Sequence, residues 1–458
     1  MDRNRELAQA DILKLLIKFS IPAIVGMVVN SLYNVVDRIF VGHGVGSLAI
    51  AGITASMPMF NIIMAFGMLF GLGGASLISI RLGQQNHKDA ETVLGNGLLI
   101  LVGTGILITV FGLIYIDPLL HLFGARGEVV PYAKDYLRII LYGATFQYVG
   151  FGLNHYIRAE GNPKIAMLSM IIGAVMNTIL DPIFIFIFNM GIKGAATATI
   201  ISQAASMIWV VSYFFTGNSV LRLRRKNFKI NWTVTRRMMA IGSAPFAMQL
   251  AASLLNIILN NSLYNYGGEI AMSAIGVIMS VSMLILMPIF GINQGVQPII
   301  GYNYGAERYD RVKKALKLAI LIASAITTLG FIITQLFSKQ LIQMFNREDL
   351  ELLTMGSRGL RIYMFMLPIV GAQIISSNYF QATGKPLLSM ILSLSRQVLF
   401  LIPAVLILPR LFDLGLTGVW IAGPTADFLA FLVASVLLLR EMRQLDAKHK
   451  ESLSLQEA

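Results

Sequence analysis

VLGNGLLILVGTGILITVFGLIY, residues 93–115, runs its whole length without a charged side chain. As a helix rising 1.5 Å per residue it extends ~34 Å, enough to cross the ~30 Å hydrocarbon core of a bilayer. Comparable apolar runs recur from one end of the chain to the other, at 16–40, 51–77, 132–157, 164–188, 194–216, 239–263, 274–300, 315–337, 355–380, 386–408 and 415–439. With 93–115 they make twelve expected spans. The composition agrees: 56% hydrophobic and 13% charged residues leave too little polar surface to coat a soluble globule of 458 residues. Met1 to Leu13 is polar, and the first apolar run leads into a full-length span with no small-residue cleavage pattern, so no removable signal peptide is expected. The chain has no cysteine, which excludes disulfides, thiolate metal sites and thiol chemistry.

The net charge of +13 is explained by orientation rather than by nucleic acid. Basic residues crowd alternate loops: Arg81 and Lys88, then Arg158 and Lys164, then Arg308, Arg311, Lys313, Lys314 and Lys317. The longest connection carries Arg222, Arg224, Arg225, Lys226, Lys229, Arg236 and Arg237 with no acid among them. Basic loops remain in the cytoplasm, so this face is expected to be cytoplasmic, with both termini on the same side.

The second half repeats the first. Pro22 falls on Pro245, Asp37 on Asn260, and Arg81-Leu82-Gly83 on Asn303-Tyr304-Gly305. Ala159-Glu160-Gly161-Asn162-Pro163 falls on Ala382-Thr383-Gly384-Lys385-Pro386, and Gly191-Ile192-Lys193-Gly194 on Gly415-Leu416-Thr417-Gly418. Six spans per half insert both halves the same way up. The sequence therefore predicts an all-α integral membrane protein, twelve transmembrane helices in two parallel six-helix repeats. The expected lobes are 1–216 and 239–440, with a basic cytoplasmic linker at 217–238 and a cytoplasmic tail at 441–458. Transporters place their substrate path between such repeats.

Acids inside a span are costly and carry function by default. Asp37 lies ~32 Å along the first span from Leu16, and Asp181 ~26 Å along the fifth from Lys164, both in the outer half of the membrane. Asn177 is one turn before Asp181 on the same face, and Thr199, near the outer start of the sixth span, reaches a similar level. A carboxylate withdrawn from water with a second one near it favours uptake of a proton or a hard cation, and oxygen donors alone suit Na⁺. The competing reading sets both acids in the outer headgroup zone, with Asp181 accommodating the break at Pro182.

The twelve spans, the six-plus-six repeat, the paired glycine-containing loops and these acids resemble the MATE (multidrug and toxic compound extrusion) family over nearly the whole chain. In the branch of that family with its ion site in the N-terminal half, an acid on the first span joins an Asn-x-x-x-Asp pair on the fifth and a Thr on the sixth. Asp37, Asn177, Asp181 and Thr199 match that pattern, so the resemblance implies that they converge as an H⁺ or Na⁺ site. Family members that carry acids on spans seven and ten are matched less well. Here those spans offer Gln249, Asn256, Asn260, Asn261, Gln373 and Asn378, none of them titratable.

Asp427 and Arg396 fall ~18 Å and ~15 Å along the last two spans and read as a structural ion pair. Gln249, Asn256, Met283, Met287 and Phe290 are candidates for a substrate lining, with adaptable methionines and cation–π attraction as the rationale. Pro22 removes a backbone hydrogen bond from the first span and marks a hinge between that turn and Asp37. Gly71, Gly73 and Gly74 permit close helix packing. No phosphate-binding Gly-x-x-x-x-Gly-Lys loop, His-Glu-x-x-His or Asp-rich motif is present, and His43, His87, His121, His155 and His449 are scattered, so no enzyme is expected and no cofactor beyond the coupling ion. The expected function is an antiporter that exports amphipathic, often cationic organic compounds, including drugs, as its two halves rock. Its expected setting is a bacterial inner membrane, as a monomer. The alternative is a flippase for a lipid-linked precursor, which would want a larger basic cavity.

Overall fold

A computed structural model describes residues 3–123, 127–217, 219–224, 227–344 and 350–457; Arg225 and Lys226 of the basic loop, and the side chains of Arg38 and His449, lie outside the described residues. Among the described residues the chain is helical with no strand. The twelve transmembrane helices are α1 Ile12–Gly44, α2 Ser47–Gly83, α3 His87–Ile114, α4 Val129–Ala159, α5 Pro163–Ile187, α6 Ile192–Tyr213, α7 Trp232–Gly268, α8 Ser273–Gly305, α9 Tyr309–Leu336, α10 Leu350–Tyr363 with Leu367–Ala382, α11 Pro386–Ile407 and α12 Gly415–Glu457. Ten of them hold a segment long and apolar enough to span by themselves, and the two pieces of α10 do so together. The remaining one, α4, is 31 residues long but polar at its ends. Near its start Lys134 pairs with Asp117 at 2.6 Å and Asp135 with Lys193 at 3.3 Å, and near its end lies buried Arg158.

Local chemistry sets the breaks. Asp11 caps α1 by accepting from the backbone N–H of Leu13 and Lys14 at 3.0 and 3.2 Å. Those backbone donors, Lys14 first, together with the Lys314 ammonium, hold the Asp11 carboxyl below the usual carboxylate range. Gly268, at φ 63 and ψ −159, separates α7 from α8, a conformation open to a residue without a Cβ. The two pieces of α10 meet at 51° just before Pro368, which cannot donate to the preceding turn. The fifth helix of each half contains a π-helical segment, Ile183–Ile187 after Pro182 and Ser395–Leu401 before Pro403, as expected where proline interrupts the backbone ladder.

By packing, the chain divides into two compact units: Met1–Ala10 with Ile21–Gln249, and Asp11–Ser20 with Leu250–Ala458. This differs from the expected lobes 1–216 and 239–440, because the connection is folded onto the first unit. Glu160, fully buried, accepts from the Tyr213 hydroxyl, from Ser219 Oγ at 2.6 Å and from Leu221 N at 3.3 Å. Buried Glu91 accepts from Arg222 N at 3.3 Å and pairs with Arg224 at 3.0 Å. Asn96 accepts from Asn231 N and donates to Thr235 Oγ1, both at 2.9 Å. The start of α7 then crosses α2 at glycine. A Cβ on Gly242 would stand 1.9 Å from Leu69 O, and one on Gly73 2.1 Å from Met238 O. The turns Trp232–Gln249 therefore belong to the amino-terminal unit.

Within that unit Gly74 and Gly97 make room for buried Tyr156, whose hydroxyl donates to Phe70 O at 2.8 Å. The second unit packs Trp420 of α12, Leu360 of α10 and Ile278 of α8 into its apolar core, and Thr327 of α9 donates to Pro368 O at 3.3 Å. It also holds the opening of α1, where Lys314 meets Asp11 at 3.3 Å.

Candidate functional site

Three of the four residues expected at the coupling site come together. Asn177 and Asp181 stand one turn apart on α5, and Asn177 Nδ2 donates to Asp181 Oδ1 at 3.2 Å. The Asp37 carboxyl on α1 comes within hydrogen-bonding reach of Asp181. All three are withdrawn from solvent: Asp37 is 9% exposed, Asn177 2% and Asp181 0%. Asp181 thus faces the interior of the bundle, just ahead of Pro182 and the π-helical turn.

The fourth residue, Thr199 on α6, is half-buried and donates to Ala195 O at 2.9 Å within its own helix. Its level follows from an apolar cluster that joins Val41, Ile185, Ala195, Ala196, Tyr136, Ile140 and Ile192. Val41 is four residues after Asp37, Ile185 four after Asp181, and Ala195 four before Thr199 on a helix that runs the opposite way. Each of the three is one turn displaced, in the same direction, from a member of one cluster. Asp37, Asp181 and Thr199 therefore share a depth, beneath an apolar cover on the side of the α5–α6 turn.

The donors at this site are oxygens. Among the described residues neither Asp181 Oδ2 nor Asn177 Oδ1 receives a hydrogen bond from an amide or hydroxyl, and a buried oxygen without a donor seeks a proton or a cation. The carboxyl pair with its amide fits H⁺ or a hard cation such as Na⁺. Among the described residues no group of three or more His, Cys, Asp or Glu side chains gathers as a transition-metal site would require.

Other expected residues are dispersed or serve locally. Arg396 Nε donates to Asp427 Oδ1, which places an ion pair between α11 and α12. Pro22 lies just past the Ser20/Ile21 boundary of the two compact units. Gln249 belongs to the first unit and donates to Asn61 Oδ1 at 3.4 Å. Asn256, Met283, Met287 and Phe290 belong to the second; Met287 is buried and Met283 is 49% exposed. The sequence reading missed Asn61, buried Tyr136 of the apolar cover, and the buried glutamates Glu91, Glu160 and Glu441. Glu441 accepts from Tyr379 at 3.0 Å and pairs with Lys385 at 2.5 Å.

The family model described as MatE matches residues 22–183 and again 245–406, so the second match begins and ends 223 residues after the first. That displacement is the one that lays Pro22 on Pro245, and Asp37, Asn177 and Asp181 all fall inside the first match. The chain is 29% identical over 429 residues to the multidrug export protein MepA of Staphylococcus haemolyticus strain JCSC1435, covering 93% of this chain and 94% of that protein. To MepA of Staphylococcus aureus strain MSSA476 it is 28% identical over 440 residues, 96% of each. Among solved structures it resembles a MATE protein crystallised in the bent conformation, with TM-score 0.92 and 27% identity over 98% of this chain and 99% of that one. It is 40% identical to the MATE multidrug transporter DinF-BH, solved as a complex, over 93% of this chain and 95% of that one, with TM-score 0.87. A repeat matched twice by one family model, on a twelve-helix frame shared nearly end to end with these structures, makes this chain a member of the MATE family, a membrane transporter and not an enzyme.

Proposed function

We propose that the protein is a cation-coupled antiporter that exports amphipathic, often cationic organic compounds, drugs among them. Asp37, Asn177, Asp181 and Thr199 form its H⁺ or Na⁺ site. The observation that carries the reading is the buried contact between the Asp37 and Asp181 carboxyls, with Asn177 bound to one of them. Two carboxylates this close, shielded from water, repel unless a proton or cation lies between them. Loading draws α1 and α5 together, while unloading separates them or leaves the negative charge to attract a cationic substrate. Exchange then follows from electrostatics, since one buried anionic site does not readily serve coupling ion and cationic substrate at once. Pro22, inside α1, has no backbone N–H to donate to the preceding turn and lets the helix bend below Asp37. The basic loops face the cytoplasm, together with both termini, in the inner membrane of a bacterium, and the transporter works as a monomer. The export names of the relatives support the substrate class.

The test is Asp37→Asn, assayed for extrusion of a fluorescent cation from vesicles under an imposed pH or Na⁺ gradient. The variant should insert, elute as a folded species and extrude at background rate. Extrusion at the wild-type rate would sink the assignment, and the gradient that drives wild-type transport names the ion.

A further inference from the structure

A groove between α2 and α7 takes no part in the coupling cluster. It is a shallow, open groove of about 440 Å³, lined by Leu69 of α2 and by Arg236, Met239, Ala240, Ser243 and Phe246 of α7, all within the amino-terminal unit. Its chemistry is graded along the helix. Arg236 stands at the end near the start of α7, and the wall beyond it is apolar but for Ser243. From Arg236 to Phe246 the helix rises ~15 Å, the depth of one leaflet of a ~30 Å hydrocarbon core.

The approach to the groove is cationic and apolar by turns. Arg222, Lys229, Arg236 and Arg237 are exposed, and among the described residues no acid pairs with Lys229, Arg236 or Arg237. Between them Phe228, Ile230 and Trp232 are 37%, 56% and 67% exposed. Exposed aromatic and basic side chains at the first turn of a span sit at headgroup level, where tryptophan anchors and cations meet lipid phosphates.

We propose that this groove is a binding site for an anionic phospholipid, with the phosphate at Arg236 and Arg237 and one acyl chain along Leu69, Met239 and Phe246. Charge complementarity selects the headgroup, and the leaflet-deep apolar wall selects a lipid over a soluble anion. A nucleic acid would use the cations but not the groove. The loop is held in place by Glu91, Glu160 and Asn96, so the cations are presented at a fixed position rather than on a free tether.

The chain has three tryptophans, so Trp209→Phe with Trp420→Phe leaves Trp232 as the reporter beside the groove. In vesicles of phosphatidylcholine and phosphatidylglycerol, with one lipid brominated at a time, quenching of Trp232 measures which lipid stands next to it. Phosphatidylglycerol should be preferred roughly fivefold at low salt, and raising the salt or introducing Arg236→Gln with Arg237→Gln should bring the ratio to about one. Equal quenching in the parent, or a preference untouched by the double substitution, overturns the proposal. So does loss of the preference on adding soluble glycerol phosphate, which would mark a site for the anion alone. If the two-phenylalanine background does not fold, native mass spectrometry of the otherwise unaltered protein decides. Fewer phosphatidylglycerol molecules retained after Arg236→Gln with Arg237→Gln supports the site, and equal retention refutes it.

Discussion

At Asp181 the cost and the use of a buried charge fall on the same atom. The carboxylate is fully buried, faces a second carboxylate and has one amide donor, so its charged form carries an uncompensated desolvation cost. Asp181→Asn keeps the shape and removes both the charge and the repulsion. The variant should melt at the wild-type temperature or higher while losing gradient-driven efflux at least ~10-fold, a factor equivalent to about 1.4 kcal/mol in an equilibrium. A variant that loses both stability and transport would instead make Asp181 a structural anchor. The depth of the acids and the face that Asn177 shares with Asp181 were legible in the sequence, because an acid in an apolar span is conspicuous and a four-residue spacing fixes the face; that Asp37 meets Asp181 was only what the family resemblance implied. Tyr136 was not legible. A tyrosine in the polar first half of α4 reads as an interfacial anchor, and only the packing of Val41, Ile185 and Ala195 around it shows that it covers the site. The acids at the loop ends were equally hidden. Glu91 and Glu160 have the sequence setting of solvated charges, but each is buried by a partner more than 50 positions away.

At the scale of elements, the hydrophobic pattern marked every span, even α4 with its charged ends, because between Arg138 and Arg158 it runs uncharged for longer than one leaflet and the acid at its start is paired. It did not mark what happens inside them. The tenth span reads as one run over 355–380, but Pro368 bends it by 51°, and the π segments of α5 and α11 leave no trace in hydropathy. The crossing of α2 with α7 hangs on glycine. At Gly242 a methyl group would stand 1.9 Å from the Leu69 carbonyl oxygen and 2.6 Å from its carbon, and backbone cannot rotate aside as a side chain does. Gly242→Ala should therefore force the helices apart, at a cost of about 1–3 kcal/mol by analogy with overpacked cores. The measurement is thermal unfolding in detergent. A melting temperature several degrees below wild type is expected, and an unchanged one would show that the helices are not in contact there. Gly103, around which an added Cβ meets nothing within 4 Å, supplies the control, since Gly103→Ala should be neutral or slightly stabilising.

At the scale of the whole molecule, the duplicated sequence does not divide where its hydropathy does. The basic connection looked like a free linker between lobes, and its amino acids alone give no reason to think otherwise. The structure fastens it to the first unit through Glu91, Glu160 and Asn96, and continues the attachment through Thr235 and the Gly73–Gly242 crossing to Gln249. A cut placed ahead of these anchors thus leaves the downstream fragment carrying α7 turns that are packed into the upstream one. With a protease site inserted after Gly217, cleavage of the purified transporter should give two fragments that co-elute in mild detergent and, reconstituted together, still transport. The affinity comes from buried helix contact and buried hydrogen bonds rather than from surface charge, so raised salt should not separate them. If the fragments part at once on cleavage, the residues from Trp232 to Gln249 do not belong to the amino-terminal unit in the membrane protein, and the linker is the tether that its sequence resembles.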